Sequence, residues 1–377
     1  MQSYDVLIVG AGIVGCACAR ECAQAGLRVA VIEGNVPGGG ATAAGMGHIV
    51  VMDDSTAQLN LTRYSRSLWR QLIPELPDTV EYESRGTLWV AADEEEMVEV
   101  RAKRSTYTAA GVRADVLSET DLAAEEPKLR PGLAGGLLVP DDGVIYPPAA
   151  AAWLLAQAVA LGATILQGPQ AVSAKKGELR LADGTTLHSD RIVLATGTDC
   201  SLLPTLPIKK RKGHLLITDR YPGFLHHQLV ELGYLKSAHA IEADSVAFNI
   251  QPRRTGQLLI GSSRQYSNDD TRSESGILSR MLERAQSYMP ELAQLSGLRV
   301  WTGFRAATPD KLPLIGPAGS LSDDRTLWLA VGFEGLGITN APAAARLLVD
   351  QMLGRSSEIA IAPYLPQRVT TQAAAHA

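Results

Sequence analysis

The chain has 377 residues, enough for about two domains, and its 46% hydrophobic and 20% charged residues exclude extended disorder. Its 35 basic against 40 acidic residues give a net charge of −5, which removes nucleic acid as a default partner. Four cysteines are too few for a disulfide scaffold and point to a reducing, cytoplasmic setting.

In chain order, Met1–Asp5 carries no basic stretch and the apolar residues after it are broken by glycines, so no signal peptide is expected. Residues 4–9, Tyr-Asp-Val-Leu-Ile-Val, read as a buried parallel strand. Gly10-Ala-Gly12-Ile13-Val14-Gly15 follows, then a helical stretch of small residues containing Cys16, Cys18 and Cys22. Gly26 ends that helix, residues 27–32 form a second strand, and Glu33 closes it where a dinucleotide fold places the acid for a ribose hydroxyl. Gly10 makes the tight turn, Gly12 admits a pyrophosphate, and Gly15 lets helix and strand pack closely. The helix N-terminus then offers N–H groups and a positive dipole end to phosphate. An acid at position 33 disfavours a 2′-phosphate. The cysteines are the small residues that close packing needs. No CxxC occurs, so neither a redox disulfide nor a cysteine-ligated iron–sulfur cluster is signalled.

The glycine-dense segment 37–47 departs from a nicotinamide dehydrogenase and reads as a loop lying flat against a planar ligand. Thr87–Ala91 and Leu258–Ser262 read as strands, and Asp93–Glu96 as the solvated start of a polar helix. Residues 149–166 are apolar over a membrane-like length, but Gly162 splits them into a helix and a strand, so no span is expected. Residues 191–197 are a strand ending Ala195-Thr196-Gly197. His226 and His227 are adjacent, point apart on a strand, and make a poor metal site. Near the end come Gly303-Phe-Arg305, Thr308-Pro-Asp310, a strand at Leu327–Val331, the loop Gly332-Phe-Glu334-Gly335-Leu336-Gly337-Ile338, and a helix at 343–352 with Pro342 near its first turn.

These motifs, in this order over nearly the whole chain, resemble the D-amino-acid oxidase (DAO) superfamily of FAD enzymes, which includes glycine oxidase, sarcosine oxidase β chains and D-amino-acid dehydrogenases. Residues 39–48 are most similar to the β subunits of heteromeric D-hydroxyproline and opine dehydrogenases. The resemblance implies an α/β fold: a discontinuous Rossmann-type FAD-binding domain (1–85, 145–208 and 300–377) and a mostly antiparallel substrate domain (86–144 and 209–299), as in the DAO and glutathione-reductase folds. It implies non-covalent FAD held by Gly10, Gly12, Ile13, Val14, Gly15 and Glu33, then by Gly39, Gly40, Ala41, Thr42, Gly45, Met46 and Gly47. Val172, Ala195, Thr196, Gly197, Gly303 and Arg305 follow, and the last group is Gly332, Glu334, Gly335, Leu336, Gly337 and Ile338.

Arg305 matches the family's carboxylate-binding Arg, whose planar fork grips both oxygens, although Ala306 stands where many relatives have Pro. Glu334 would recognise a basic or hydroxyl group, or be exposed. His48 would meet substrate, tune the flavin or bond nearby backbone. Phe248, Asn249 and Gln251 would face the pocket in alternation, and His214 would sit beyond a Lys212-Gly213 turn joining the domains. The expected reaction is oxidation of an amino or imino acid, a secondary amine such as D-hydroxyproline or an opine favoured. Electrons would pass to a flavin or iron–sulfur partner subunit. An oxygen-using oxidase, a flavin hydroxylase and an FAD-binding assembly subunit remain as alternatives.

Overall fold

The computed structural model describes residues 3–233, 244–266 and 269–369. The first strand, Val6–Val9, is buried on both faces, with Val6 and Ile8 in one hydrophobic cluster and Leu7 and Val9 in another. Such a run belongs at the centre of a sheet covered on both sides. It lies inside a six-stranded sheet ordered Leu314–Pro317, Leu327–Val331, Ile192–Leu194, Val6–Val9, Val29–Glu33, Thr164–Gln167. Only the Leu314–Pro317 edge is antiparallel. The helix Ile13–Gln24 packs between the helices Pro147–Ala160 and Gly337–Met352 on one face. Cys16, Cys18 and Cys22 are fully buried in that contact.

The second sheet has eight strands in the order Gly297–Ala307, Lys209–Arg220, Gln257–Arg264, Ser245–Pro252, Gln228–Glu231, Thr87–Ala91, Gly135–Val139, Asp115–Ser118. One pair, Gln228–Glu231 with Thr87–Ala91, is parallel, and the rest are antiparallel. The boundary expected at 299/300 falls inside the strand Gly297–Ala307, which pairs with Lys209–Arg220 over nearly its whole length.

Four expectations are corrected here. Half of the glycine-dense segment is a helical turn, Gly40–Ala44, because Thr42 turns its hydroxyl back to accept the Ile13 N–H at 3.0 Å. Lys212-Gly213 is no turn but the middle of a twelve-residue strand. His226 and His227 precede a strand rather than lying on one, and both backbone N–H groups donate to buried Glu126 Oε1. The last helix begins at Gly337, so Pro342 lies within it. A mid-helix Pro leaves a carbonyl without its N–H, and here side chains of the helix Thr56–Leu72 repair the ladder. The Trp69 indole donates to the Ile338 and Thr339 carbonyls at 3.2 and 3.1 Å, while the Ser65 hydroxyl donates to Thr339 O (2.6 Å) and accepts from Ala343 N–H (3.2 Å). Among the described residues no helix is long and apolar enough to cross a membrane, and no cluster of His, Cys, Asp and Glu is placed to hold a metal ion.

Candidate active site

A cavity of about 740 Å³ runs from the carboxyl ends of the six-stranded sheet to one face of the eight-stranded sheet. One end is walled by Glu33–Val36 and Val172, and the middle by Gly10, Gly12–Val14, Thr42 and Ala195–Gly197. The other end is walled by Ala44–His48, Gly303–Ala306 and Gly332–Ile338. Every residue expected to touch FAD lies on this wall except Gly15. Gly15 sits behind the turn, where an added Cβ would stand 1.9 Å from the Gly10 carbonyl oxygen. Gly10 itself has φ +103°, a conformation that only Gly adopts freely. Glu33 spends an oxygen on the turn as well, accepting from Ala11 N–H through Oε2 and from Asn35 N–H through Oε1, both at 2.8 Å.

The sheet side brings the charges together. Arg211 and Arg305 are direct cross-strand partners and both line the cavity. Arg305 Nη1 donates to the Ser263 carbonyl at 3.1 Å, its guanidinium lying over Gly213, where a Cβ would come within 2.6 Å of Nη1. Arg211 ion-pairs with Glu334 and donates to the Tyr266 hydroxyl at 2.6 Å, with its guanidinium 4.8 Å from that ring's centroid. Glu334 is therefore not exposed: its backbone bridges to Ala306, and its Oε2 is buried without a partner. Arg211 was missed at the sequence level. On the strand found here it shares a face with Gly213, so alternation along residues 209–215 was the available signal.

The expected neighbours divide. Asn249 lines the cavity, as does His48. Phe248 does not: it is fully buried on the opposite face, stacked 4.7 Å from the Tyr288 ring. Gln251 lies on the cavity side of its strand but is occupied, its Nε2 donating to Met46 O at 2.6 Å. Burial pushes the His48 imidazole down to about 4, so it is neutral at physiological pH. His214 is fixed as well. Glu274 N–H donates to its Nε2 at 3.1 Å, leaving Nδ1 to carry the proton toward Ser263 Oγ at 3.0 Å, and burial also lowers its pKa.

These residues fit FAD. The cavity of about 740 Å³ lies within the range of roughly 300–1,000 Å³ usual for cofactor sites, and a Cβ at Gly12 would meet only Thr42 Oγ1, at 3.3 Å, among protein atoms. Across residues 5–351 the sequence matches the family described as DAO, FAD dependent oxidoreductase. The chain belongs to this family. It is therefore an FAD-dependent oxidoreductase. It is 27% identical to the glycine oxidase of Geobacillus kaustophilus over 372 residues, covering 96% of each chain. The crystal structure of glycine oxidase from that organism superposes with TM-score 0.86 at 25% identity, over 97% of this chain and 98% of the other. The hydrogen cyanide synthase subunit HcnC of Pseudomonas aeruginosa is 25% identical, over 99% of this chain and 98% of its own.

Proposed function

We propose that the protein oxidises the C–N bond of an α-amino or α-imino acid to the imine, with Arg305 gripping the substrate carboxylate. The observation that carries this reading is Arg305 itself, set beside Arg211 in the same cavity as the Ala44–His48 and Gly332–Ile338 segments. Bound FAD supplies the acceptor for the two electrons. The protein's part is to bind and orient. Arg305 offers two parallel N–H donors that fix the carboxylate, and hence the Cα–H bond, at near-attack geometry. Arg211, paired with Glu334 and bonded to the Tyr266 hydroxyl, stands beside it as a neutral, fixed wall. The helix Gly337–Met352 begins at the cavity wall, so its positive end favours negative charge there. Gly10, Gly12–Val14, Glu33, Thr42, Val172 and Ala195–Gly197 are assigned to the nucleotide half of FAD. The division into a discontinuous FAD-binding domain and a substrate domain is proposed with them.

The glycine oxidase relatives support oxygen as the electron acceptor. The second reading is a dehydrogenase passing electrons to a flavin or iron–sulfur partner, with D-hydroxyproline or an opine as substrate. HcnC, a subunit of hydrogen cyanide synthase, and the likeness of residues 39–48 to heteromeric β subunits support it. Anaerobic flavin reduction by a panel of primary and secondary amino acids tests the reaction. Arg305→Met should keep FAD and lose substrate affinity about 10²-fold or more, the worth of two charge-assisted hydrogen bonds. Unchanged affinity would refute the anchor. Stoichiometric peroxide from the purified chain at full turnover selects the oxidase, and slow reoxidation in air selects the partner-dependent enzyme.

A further inference from the structure

Past Arg305 the cavity wall continues along one face of the eight-stranded sheet, and this stretch is called the chamber below. Its floor is one face of three neighbouring strands. Trp89 stands opposite Val230, which stands opposite Asn249, and Thr87 stands opposite Gln228 in the adjoining row. Ser262 on the next strand and His48 also line it. In this one chamber five buried polar atoms have no protein partner: Trp89 Nε1, Gln228 Oε1, Asn249 Oδ1, Ser262 Oγ and His48 Nε2. Trp89, Gln228 and Ser262 are only 2%, 0% and 4% exposed. Buried polar groups are nearly always paired, so five unpaired ones on a single cavity wall mark a place where a ligand supplies the partners.

The identity of the group facing the chamber at Gln228 follows from a fixed chain of donors. The Arg66 guanidinium and the Thr87 hydroxyl both donate to the buried Asp142 carboxylate, at 2.7 and 2.6 Å. With its only proton used, Thr87 Oγ1 accepts from Gln228 Nε2 at 2.6 Å. The carbonyl of Gln228 is therefore left to the chamber as an acceptor. Trp89 Nε1–H is solely a donor, and Ser262 Oγ serves either way. All five atoms belong to uncharged groups, since burial keeps His48 neutral.

The span sets the substrate's length. The Arg305 guanidinium bonds Ser263 O, on the Gln257–Arg264 strand, and the strand of Gln228 is two places further across the sheet. Two strand spacings are roughly 10 Å across the strands, and the row of Leu229, Ile250 and Ile260 sets Gln228 a further four residues along them from Ser263, so only an extended molecule reaches both.

We propose that this chamber is a second subsite, which takes an uncharged donor-and-acceptor group, such as a carboxamide or hydroxyl, at the far end of the substrate. The inference rests on the Arg305 reading and deepens it: the substrate is an extended amino acid or N-substituted glycine, not glycine.

The test is anaerobic flavin reduction of the holoenzyme with matched pairs. N-(3-carbamoylpropyl)glycine is set against its apolar isostere N-(4-methylpentyl)glycine, and D- and L-homoglutamine against the enantiomers of 2-amino-6-methylheptanoate. In at least one series the amide should exceed its isostere by at least about tenfold in kcat/KM, since a site built to hydrogen-bond rejects what lacks the bond. Gln228→Leu should bring that ratio to about one, and Trp89→Phe, which keeps an aromatic ring but removes the donor, should lower it. Retained FAD and an unshifted melting temperature establish that each variant is folded. Isosteres that react as well as amides in every series, or a ratio that survives Gln228→Leu, overturn the subsite while leaving Arg305 in place. If Arg305→Met binds every probe as tightly as the wild type, the anchor falls and the subsite with it.

Discussion

Replacing Gly213 with Ala tests the carboxylate anchor without touching it. A Cβ at position 213 would stand 2.6 Å from Arg305 Nη1 and 3.1 Å from both Cζ and Nη2, whereas ordinary contact begins at 3.4 Å. The guanidinium must therefore retreat by close to 1 Å. Because it is the end of a flexible side chain, and because Gly213 lies in regular strand pairing, this movement leaves the fold intact. A 1 Å displacement of a positioning group costs about 10²-fold in catalysis, or about 2.7 kcal/mol. Gly213→Ala should thus retain wild-type FAD content and melting temperature while kcat/KM for the best amino acid falls about 100-fold. Gly276→Ala, on a helix with nothing within 4 Å of its Cβ, is the matched control. Stopped-flow flavin reduction without oxygen gives the rates, and titration of the flavin spectrum with acetate gives carboxylate affinity directly. Undiminished kcat/KM and acetate binding in a folded Gly213→Ala enzyme would refute the assignment of Arg305.

Gly15→Ala presses instead on backbone, the Gly10 carbonyl at 1.9 Å. The turn cannot yield as a side chain does, so about 1–3 kcal/mol of stability should be lost, and the protein should purify with little FAD, as thermal melts and the flavin absorbance will show. His48, held down to about 4 by burial, stays neutral through the working range. The pH profile of flavin reduction between pH 5.5 and 9 should therefore keep its shape in His48→Gln, and loss of an inflection there would show that this imidazole titrates. Burial raises Asp142 to about 6, against an ordinary value of 3.8. Between these values the folded state holds the proton and the unfolded state does not, so this carboxyl's contribution to stability falls as pH rises from about 4 to about 6. Urea unfolding at pH 4.5 and 7 should show a smaller difference between the two pH values in Asp142→Asn than in the wild type.

What was legible in the sequence was what local pattern determines. The strands Thr87–Ala91 and Leu327–Val331 begin and end where their apolar runs do. The first strand, turn and helix followed from the apolar run at residues 4–9, the small residues after it and the glycine spacing between them, since Gly10 and Gly15 touch only their own turn and the Ala195–Thr196 segment beside it. What was not legible depended on distant partners. The helical turn at Gly40–Ala44 is held by the Ile13–Thr42 hydrogen bond, and the tolerance of Pro342 by Ser65 and Trp69 on another helix. Arg211 became a site residue only when the basic run at 209–212 proved to be a strand opposite Arg305. Phe248 fell to the wrong face because adjacent strand residues point oppositely, and Asn249 took the cavity side.

The buried cysteines have a practical consequence. Burial pushes the Cys16 and Cys22 thiols up to about 12 and raises Cys18 as well, so at pH 7 roughly one in 10⁵ of such thiols is the reactive anion. Cys200 is the only one of the four with appreciable exposure. A thiol reagent will therefore mark Cys200 in the folded protein and reach the other three only when the helix Ile13–Gln24 lifts from its two neighbours. The rate at which the second, third and fourth labels appear clocks the opening of the nucleotide-binding lobe, and its slowing on addition of FAD would measure how firmly the cofactor closes that lobe.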